Sequence, residues 1–304
     1  MSLSNLPTPY PSTLPPIHPL PIHPPTHPPP THPPIHPPTH PPSHPSTQMP
    51  HLIAISGPSG SGKTTWISQF LKDQSTPQYY VCPGLGEISV DLARMGYRFP
   101  SVQVVPEAQL KTVLADLPEQ ATVYLEWGFH LDLGSPFLAE LPWERVAVLP
   151  PDLAESDWHG WSDRIVTGNP VAAPANGYLP EIWCTPLNGQ VFDPPSLEAL
   201  LLEVSGGAYG QVGRMKGIFE LPDGRAFHVD FVEGLPGMEY TELAIPRWRS
   251  GRPDRFSGIE VVGWGLEREA IAQTLLDSTL SDAALAQYQQ HYQALHPSEE
   301  VISV

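Results

Sequence analysis

Cysteine is nearly missing from this chain, with only Cys82 and Cys184 in 304 residues. Two thiols so far apart build no disulfide scaffold and match no zinc ribbon or finger spacing, so a reducing compartment is the natural reading. Basic residues are scarce too: 15 Lys plus Arg stand against 32 Asp plus Glu, a formal charge of -17. That balance excludes a non-specific nucleic-acid binder and a polybasic membrane anchor, because both need cations to meet phosphates or anionic lipids. No apolar run reaches the roughly 18 residues that span a bilayer. The first residues show neither the basic nor the apolar region of a signal peptide. A cytoplasmic protein with no nucleic-acid or membrane partner is expected.

Proline and histidine are abundant, but in one place. Residues 1–50 hold 20 of the 41 prolines and 7 of the 13 histidines, with no charged residue at all. From Ile17 to Pro45 an irregular repeat sets His18, His23, His27, His32, His36, His40 and His44 four or five residues apart. Such a segment has too little apolar surface to offset the entropy of ordering, and proline holds it near polyproline II geometry. At about 3.1 Å per residue, neighbouring imidazoles would lie roughly 12 Å apart, too far to share one ion unless the chain loops back. Two readings stand: a stiff neutral spacer or ligand for a proline-binding domain, and a loose, exchangeable site for Zn²⁺, Ni²⁺ or a similar divalent transition metal. The number of imidazoles favours metal.

The strongest motif follows at once. HLIAIS, residues 51–56, is an apolar run of strand length that leads into GPSGSGKTT, Gly57 to Thr65, a match to GxxxxGK[ST]. Its glycines let backbone N–H groups curl around phosphates, while Lys63 reaches the β and γ phosphates and the Thr64 hydroxyl ligates Mg²⁺. Gly57, Ser59, Gly60, Ser61, Gly62, Lys63, Thr64 and Thr65 are thus the expected nucleotide-binding residues, and Lys63 should pack against nothing in the empty site. Trp66, Ile67, Phe70 and Leu71 are set at helical spacing after the loop. Strand-like runs recur at 78–82, 121–126, 144–150, 163–168 and 181–185, with helical patterns at Glu107–Leu117 and Ser196–Val204. Alternation of this kind around a P-loop predicts an α/β domain with a mostly parallel sheet, the nucleotide at the carboxyl ends of its strands. Glu126 ends one such strand. It is either a second Mg²⁺ contact or water-positioning catalytic carboxylate, or a solvated strand-end side chain.

Taken together, these features resemble the CobW-type family of metal-handling P-loop GTPases. The family's loop reads GxxGxGKTT, as Gly57 to Thr65 does, and LEWG at Leu125–Gly128 is similar to its acidic E[ST]xG strand end. GQVGRMKGIFELPDGRAFHVDFV, then LAIPRWR, then SGIEVVGWGLEREAIAQTLL follow the order of its C-terminal domain. The sequence departs from the family at two points. Only Cys82 stands where a CxCC metal motif belongs, and SDRIVTGNPV, Ser162 to Val171, occupies the place of the guanine-reading NKxD without its Lys or Asp. The resemblance implies a tail over 1–48, a P-loop domain over 49–204, a small α+β domain over 205–280 and a terminal helix and tail over 281–304.

Within the second domain, Asp223 and Gly224 read as a two-residue hairpin, and the stretch from Leu266 to Leu276 as an amphipathic helix. His228, Arg214, Lys216, Arg247, Arg249, Arg252 and Arg255 stand out in an acidic chain; the last four form either a solvated loop or an anion or partner site. Trp248 and Trp264 read as packing residues. The resemblance implies a slow GTP- or ATP-hydrolysing metallochaperone or metal-insertion factor that uses Mg²⁺, collects Zn²⁺ or a similar ion on its tail and serves a client metalloprotein. The alternatives are a P-loop small-molecule kinase and a metal buffer with a vestigial nucleotide site.

Overall fold

The structure, a computed structural model, describes residues 49–71, 75–86, 89–171 and 179–295. The tail over 1–48, with its seven histidines, lies outside them, as does His296. The chain runs β1 (His51–Ser56), α1 (Lys63–Ser68), β2 (Gln78–Val81), α2 (Val90–Arg98), β3 (Gln103–Val105), a 3-10 turn (Glu107–Gln109) and α3 (Leu110–Ala115). β4 (Thr122–Glu126), α4 (Pro136–Ala139), β5 (Glu144–Leu149), α5 (Asp157–Trp161) and β6 (Arg164–Thr167) complete the first half. The second half comprises β7 (Glu181–Pro186), α6 (Pro194–Ser205), β8 (Gln211–Glu220), β9 (Ala226–Val232), β10 (Met238–Glu242), β11 (Gly258–Trp264), α7 (Arg268–Asp277) and α8 (Asp282–Leu295).

The first six strands form one sheet in the order β3-β2-β4-β1-β5-β6, and every neighbouring pair is parallel. Helices cover both of its faces, which explains why its central strands read as unbroken apolar runs. In β1 the two-residue side-chain period sends Leu52 and Ala54 to a core with Val123, Leu125, Trp143 and Trp161. Ile53 and Ile55 face the other way and pack with Ile67, Leu71, Tyr80 and Met95. α1 is shorter than its sequence pattern: after Ser68 the helix stops, Leu71 is buried and Phe70 turns out to solvent. β3 was not visible in the sequence, since three residues at a sheet edge carry almost no period.

The second sheet is antiparallel, in the order β10-β9-β8-β11-β7. α6 and α7 close one face, where Leu197, Leu201 and Val204 meet Met215, Phe219, Val229, Ile259 and Ile271. The expected domain break at 204/205 therefore cuts through this half, because β7 pairs antiparallel with β11 and α6 packs on the sheet. EIWCT reads as a strand whichever sheet receives it. The β8–β9 hairpin also differs from expectation: Leu221 N donates to Arg225 O and Gly224 N donates to Leu221 O, which leaves a three-residue loop, Pro222–Gly224, in place of a two-residue one. A turn of this length still places glycine last, so DG gave the position and not the loop length.

The sheet's other face is polar and yet buried, for it packs on α2. His228 in β9 is 1% exposed, its Nε2 has no hydrogen-bond partner among the described residues, and burial, reinforced by the positive charge of Arg94, lowers its pKa from 6.5 to about 3. The unfolded chain takes up this proton near pH 6.5 and the folded chain only near pH 3, so unfolding binds the extra proton between those values. Stability should therefore fall as pH drops from about 6.5, by about 1.4 kcal/mol per pH unit from this residue alone. Melting temperatures of wild type and His228→Gln from about pH 7 to about pH 4 check this; the variant should have the shallower slope.

Candidate functional site

The site forms where β1 ends. Gly57 has a φ of 145° and a side chain there would begin 2.2 Å from Val148 O, so the loop leaves the strand in a space open only to glycine. The loop then turns into α1, whose first residue is Lys63. All eight expected nucleotide-binding residues lie on this strand–loop–helix unit, with Ser61, Lys63 and Thr64 buried and Thr65 exposed. The Ser61 hydroxyl is buried without a partner among the described residues, as a group awaiting an acceptor would be.

Lys63 does not stand free, contrary to the sequence expectation. It is 5% exposed, and its Nζ donates to Gly57 O at 3.0 Å and Pro58 O at 2.8 Å. A buried ammonium has to be hydrogen-bonded, and the loop's own carbonyls are the nearest acceptors. Burial lowers its pKa from 10.5 to about 8, against the opposing pull of Glu126.

Parallel pairing sets Glu126 of β4 beside Ile55 of β1, at the carboxyl end of both strands. There the Thr64 hydroxyl lies 2.9 Å from each oxygen of the Glu126 carboxylate, and the Tyr80 hydroxyl donates to Oε2 at 2.8 Å. Glu126 is 3% exposed, so it is not a solvated strand end. Burial and the neighbouring Asp91 raise its pKa, while Lys63 draws it down. A hydroxyl and a carboxylate converging beside a P-loop are the donor set that Mg²⁺ takes, with its remaining positions left to phosphate oxygens and water. Thr64 and Glu126 are thus the residues that would hold Mg²⁺.

Asn169 is a residue that sequence reasoning missed. Its Nδ2 donates to Gly60 O at 2.9 Å and its backbone N to Ser61 O at 2.9 Å, which ties the end of β6 to the phosphate loop. Its signal in the sequence is a single asparagine in SDRIVTGNPV, just beyond the strand RIVT. On the other side of the loop Trp158 Nε1 donates to Ser56 Oγ at 3.1 Å.

The remaining candidates are dispersed. Cys82 is buried beyond the end of β2 and Cys184 lies in β7; burial, then Glu126, pushes the first thiol well up, and burial pushes the second to about 12. Protonated thiols are poor metal ligands, and among the described residues no group of three or more His, Cys, Asp or Glu is placed to hold a metal. Two of the four arginines in the basic run are tied into the structure, so the run is not simply a solvated loop. Arg255 clasps Glu220 at 2.6 and 2.7 Å, and Arg252 reaches Asp282 at 2.7 Å and the carbonyls of Gly189 and Leu280. No helix among the described residues is long and apolar enough to cross a membrane.

Residues 187–279 match the family described as cobalamin synthesis protein cobW C-terminal domain. That stretch is a domain of the CobW C-terminal type. Two solved structures are similar to it, the Zn(II)-bound YjiA GTPase from E. coli at 12% identity and a Zn(II)-bound triple mutant of YjiA at 14%. Each likeness covers 76% of this chain and 98% of the other at a TM-score of 0.27, too low to bear on this chain's fold or chemistry. No curated protein sequence matches it. The matched span begins after β7 and ends beyond α7, so it takes in the rest of the second sheet with α6.

Because Lys63 pins its own loop, Lys63→Ala should do two things. It should abolish Mg²⁺-dependent triphosphate binding, measured by calorimetry, and lower stability by about 1 kcal/mol through the two lost hydrogen bonds. Nucleotide affinity equal to wild type would overturn the P-loop assignment.

Proposed function

We propose that this CobW-type chain binds a nucleoside triphosphate with Mg²⁺, hydrolyses it slowly, and couples that cycle to handling a divalent transition metal for a client metalloprotein. GTP is the expected nucleotide from the family and ATP the alternative. Zn²⁺ or a similar ion is the expected cargo, gathered by His18, His23, His27, His32, His36, His40 and His44. The observation that carries the nucleotide reading is the Thr64–Glu126 bridge at the mouth of the P-loop. Backbone N–H groups of Gly57 to Thr65 would orient the phosphates, Lys63 would leave its carbonyls for phosphate oxygens, and Glu126 would hold its carboxylate toward the cation and the attacking water. Mg²⁺, when bound, neutralises charge that develops on the phosphate oxygens.

The kinase alternative gains no support from the two basic residues between Lys111 and Arg214, where an arginine-bearing lid would be sought. Arg145 and Arg164 lie at the amino ends of β5 and β6, away from the phosphate loop, and Arg164 reaches Glu144 at 3.3 Å with its guanidinium over the Trp66 ring. The vestigial reading sits poorly with Lys63, Thr64 and Glu126, three polar side chains kept together in a buried place.

Glu126→Gln should keep nucleotide binding yet slow hydrolysis by about tenfold or more, as loss of a transition-state contact does. Steady-state phosphate release checks this, and equal rates in both proteins would return Glu126 to a structural role. For the tail, deletion of residues 1–48 should remove several weak Zn²⁺ sites at about pH 7.5, and the difference should fade at about pH 5.5, because only neutral imidazole coordinates. Equal stoichiometry with and without the tail would show that its histidines are a spacer.

A further inference from the structure

The buried polar face of the second sheet stands against the nucleotide site. Arg214 and Lys216 are two residues apart in β8 and so share one face. Asp230 of β9 and Glu260 of β11 flank Lys216 in register. Lys216 is 3% exposed; its Nζ bonds Glu260 Oε1 at 2.7 Å and Asp91 Oδ2 of α2. The second oxygens of both carboxylates, Asp91 Oδ1 and Glu260 Oε2, are buried without partners among the described residues. Nearby, the sheet touches the phosphate loop directly, for a side chain added at Gly60 would meet Val232 of β9 at 2.7 Å.

The cavity between these parts decides what they face. Its space is about 30 Å³, and its walls include Ser59, Lys63 and Glu126 from the first half and Arg214, Lys216 and Glu260 from the second. That holds water but no triphosphate, so the phosphates must widen it. Lys63 would meet the β and γ phosphates and Thr64 with Glu126 would hold Mg²⁺, so the terminal phosphate would enter here. A third N–H of the Lys216 ammonium remains for it. Stability alone does not explain the arrangement, since a buried ion cluster is commonly no better than apolar packing of the same volume.

We propose that Lys216, carried by the second sheet, is a binding residue for the terminal phosphate, through which the CobW C-terminal domain distinguishes triphosphate from diphosphate. This rests on the nucleotide-binding reading above. The atoms that would report the terminal phosphate also hold Asp91 of α2, so its arrival is felt at the contact between the two halves.

The test is calorimetry of the full chain with Mg²⁺, using the non-hydrolysable β,γ-imido analogue of GTP and, separately, GDP. Lys216→Met should weaken the triphosphate analogue by roughly tenfold or more, the loss of one charge-assisted hydrogen bond, and change GDP by no more than about twofold. Lys216→Arg should keep most of the preference. Because the methionine leaves two carboxylates buried and unpaired, the triple variant Asp91→Asn, Lys216→Met, Glu260→Gln is measured beside it, its fold checked by melting, with the same loss of preference expected. If wild type binds and Lys63→Ala does not, yet the triple variant keeps its preference for triphosphate, the proposal falls and the nucleotide reading stands. If wild type binds neither nucleotide, both fall.

Discussion

Parallel pairing of β4 with β1 is the constraint on which the site depends. Two neighbouring strands running the same way end at the same level, so the last residue of one stands beside the loop that leaves the other. That places Glu126 at the mouth of the loop, and the loop's turn into α1 brings Thr64 against it. Burial does the rest: at 3% exposure the carboxylate must be hydrogen-bonded, and Thr64 and Tyr80 are the donors within reach. The same parallel order puts Asn169 at the end of β6, close enough to hold the carbonyls of Gly60 and Ser61. Strand order thus fixes three contacts of the phosphate loop that lie far apart in the chain.

The second sheet solves a different problem. One face is apolar and closed by α6 and α7, as any antiparallel sheet of this size requires. The other carries Arg214, Lys216, His228, Asp230 and Glu260 into an interior contact, where charges must pair or be neutralised. Arg214 takes Asp230 at 3.3 Å and Lys216 takes Asp91 and Glu260. Burial alone would lift the Asp91 carboxyl and lower the Lys216 ammonium, but each lies beside opposite charge, which keeps Asp91 ionised and Lys216 protonated. The Nε2 of His228 has no hydrogen-bond partner among the described residues, and burial keeps the ring neutral.

Legibility from the sequence followed how local each signal was. GPSGSGKTT needs nine consecutive residues and announced its strand, loop and helix. The apolar runs of β2, β4 and β5 were plain because both faces of the sheet are buried there. What a run pairs with is not local, so β7 was placed in the wrong sheet and the domain break came too late. Arg252 and Arg255 showed their charge but not Asp282 and Glu220, which lie about 30 residues away in the chain. Lys63 failed for the opposite reason: its acceptors are five and six residues off, but a motif read for its ligand says nothing of what the lysine does without one.

That lysine is in effect a ligand tethered to its own receptor. The carbonyls of Gly57 and Pro58 hold its ammonium with the high effective concentration of attached groups. A phosphate entering the loop would have to draw the ammonium off them, and on leaving would return it to two carbonyls at hand. The empty loop is consequently held in shape rather than collapsed, and part of the attraction of Lys63 for phosphate goes into breaking a bond that already exists. A loop built this way would bind phosphate less tightly than one with a free lysine, and would keep its shape when empty.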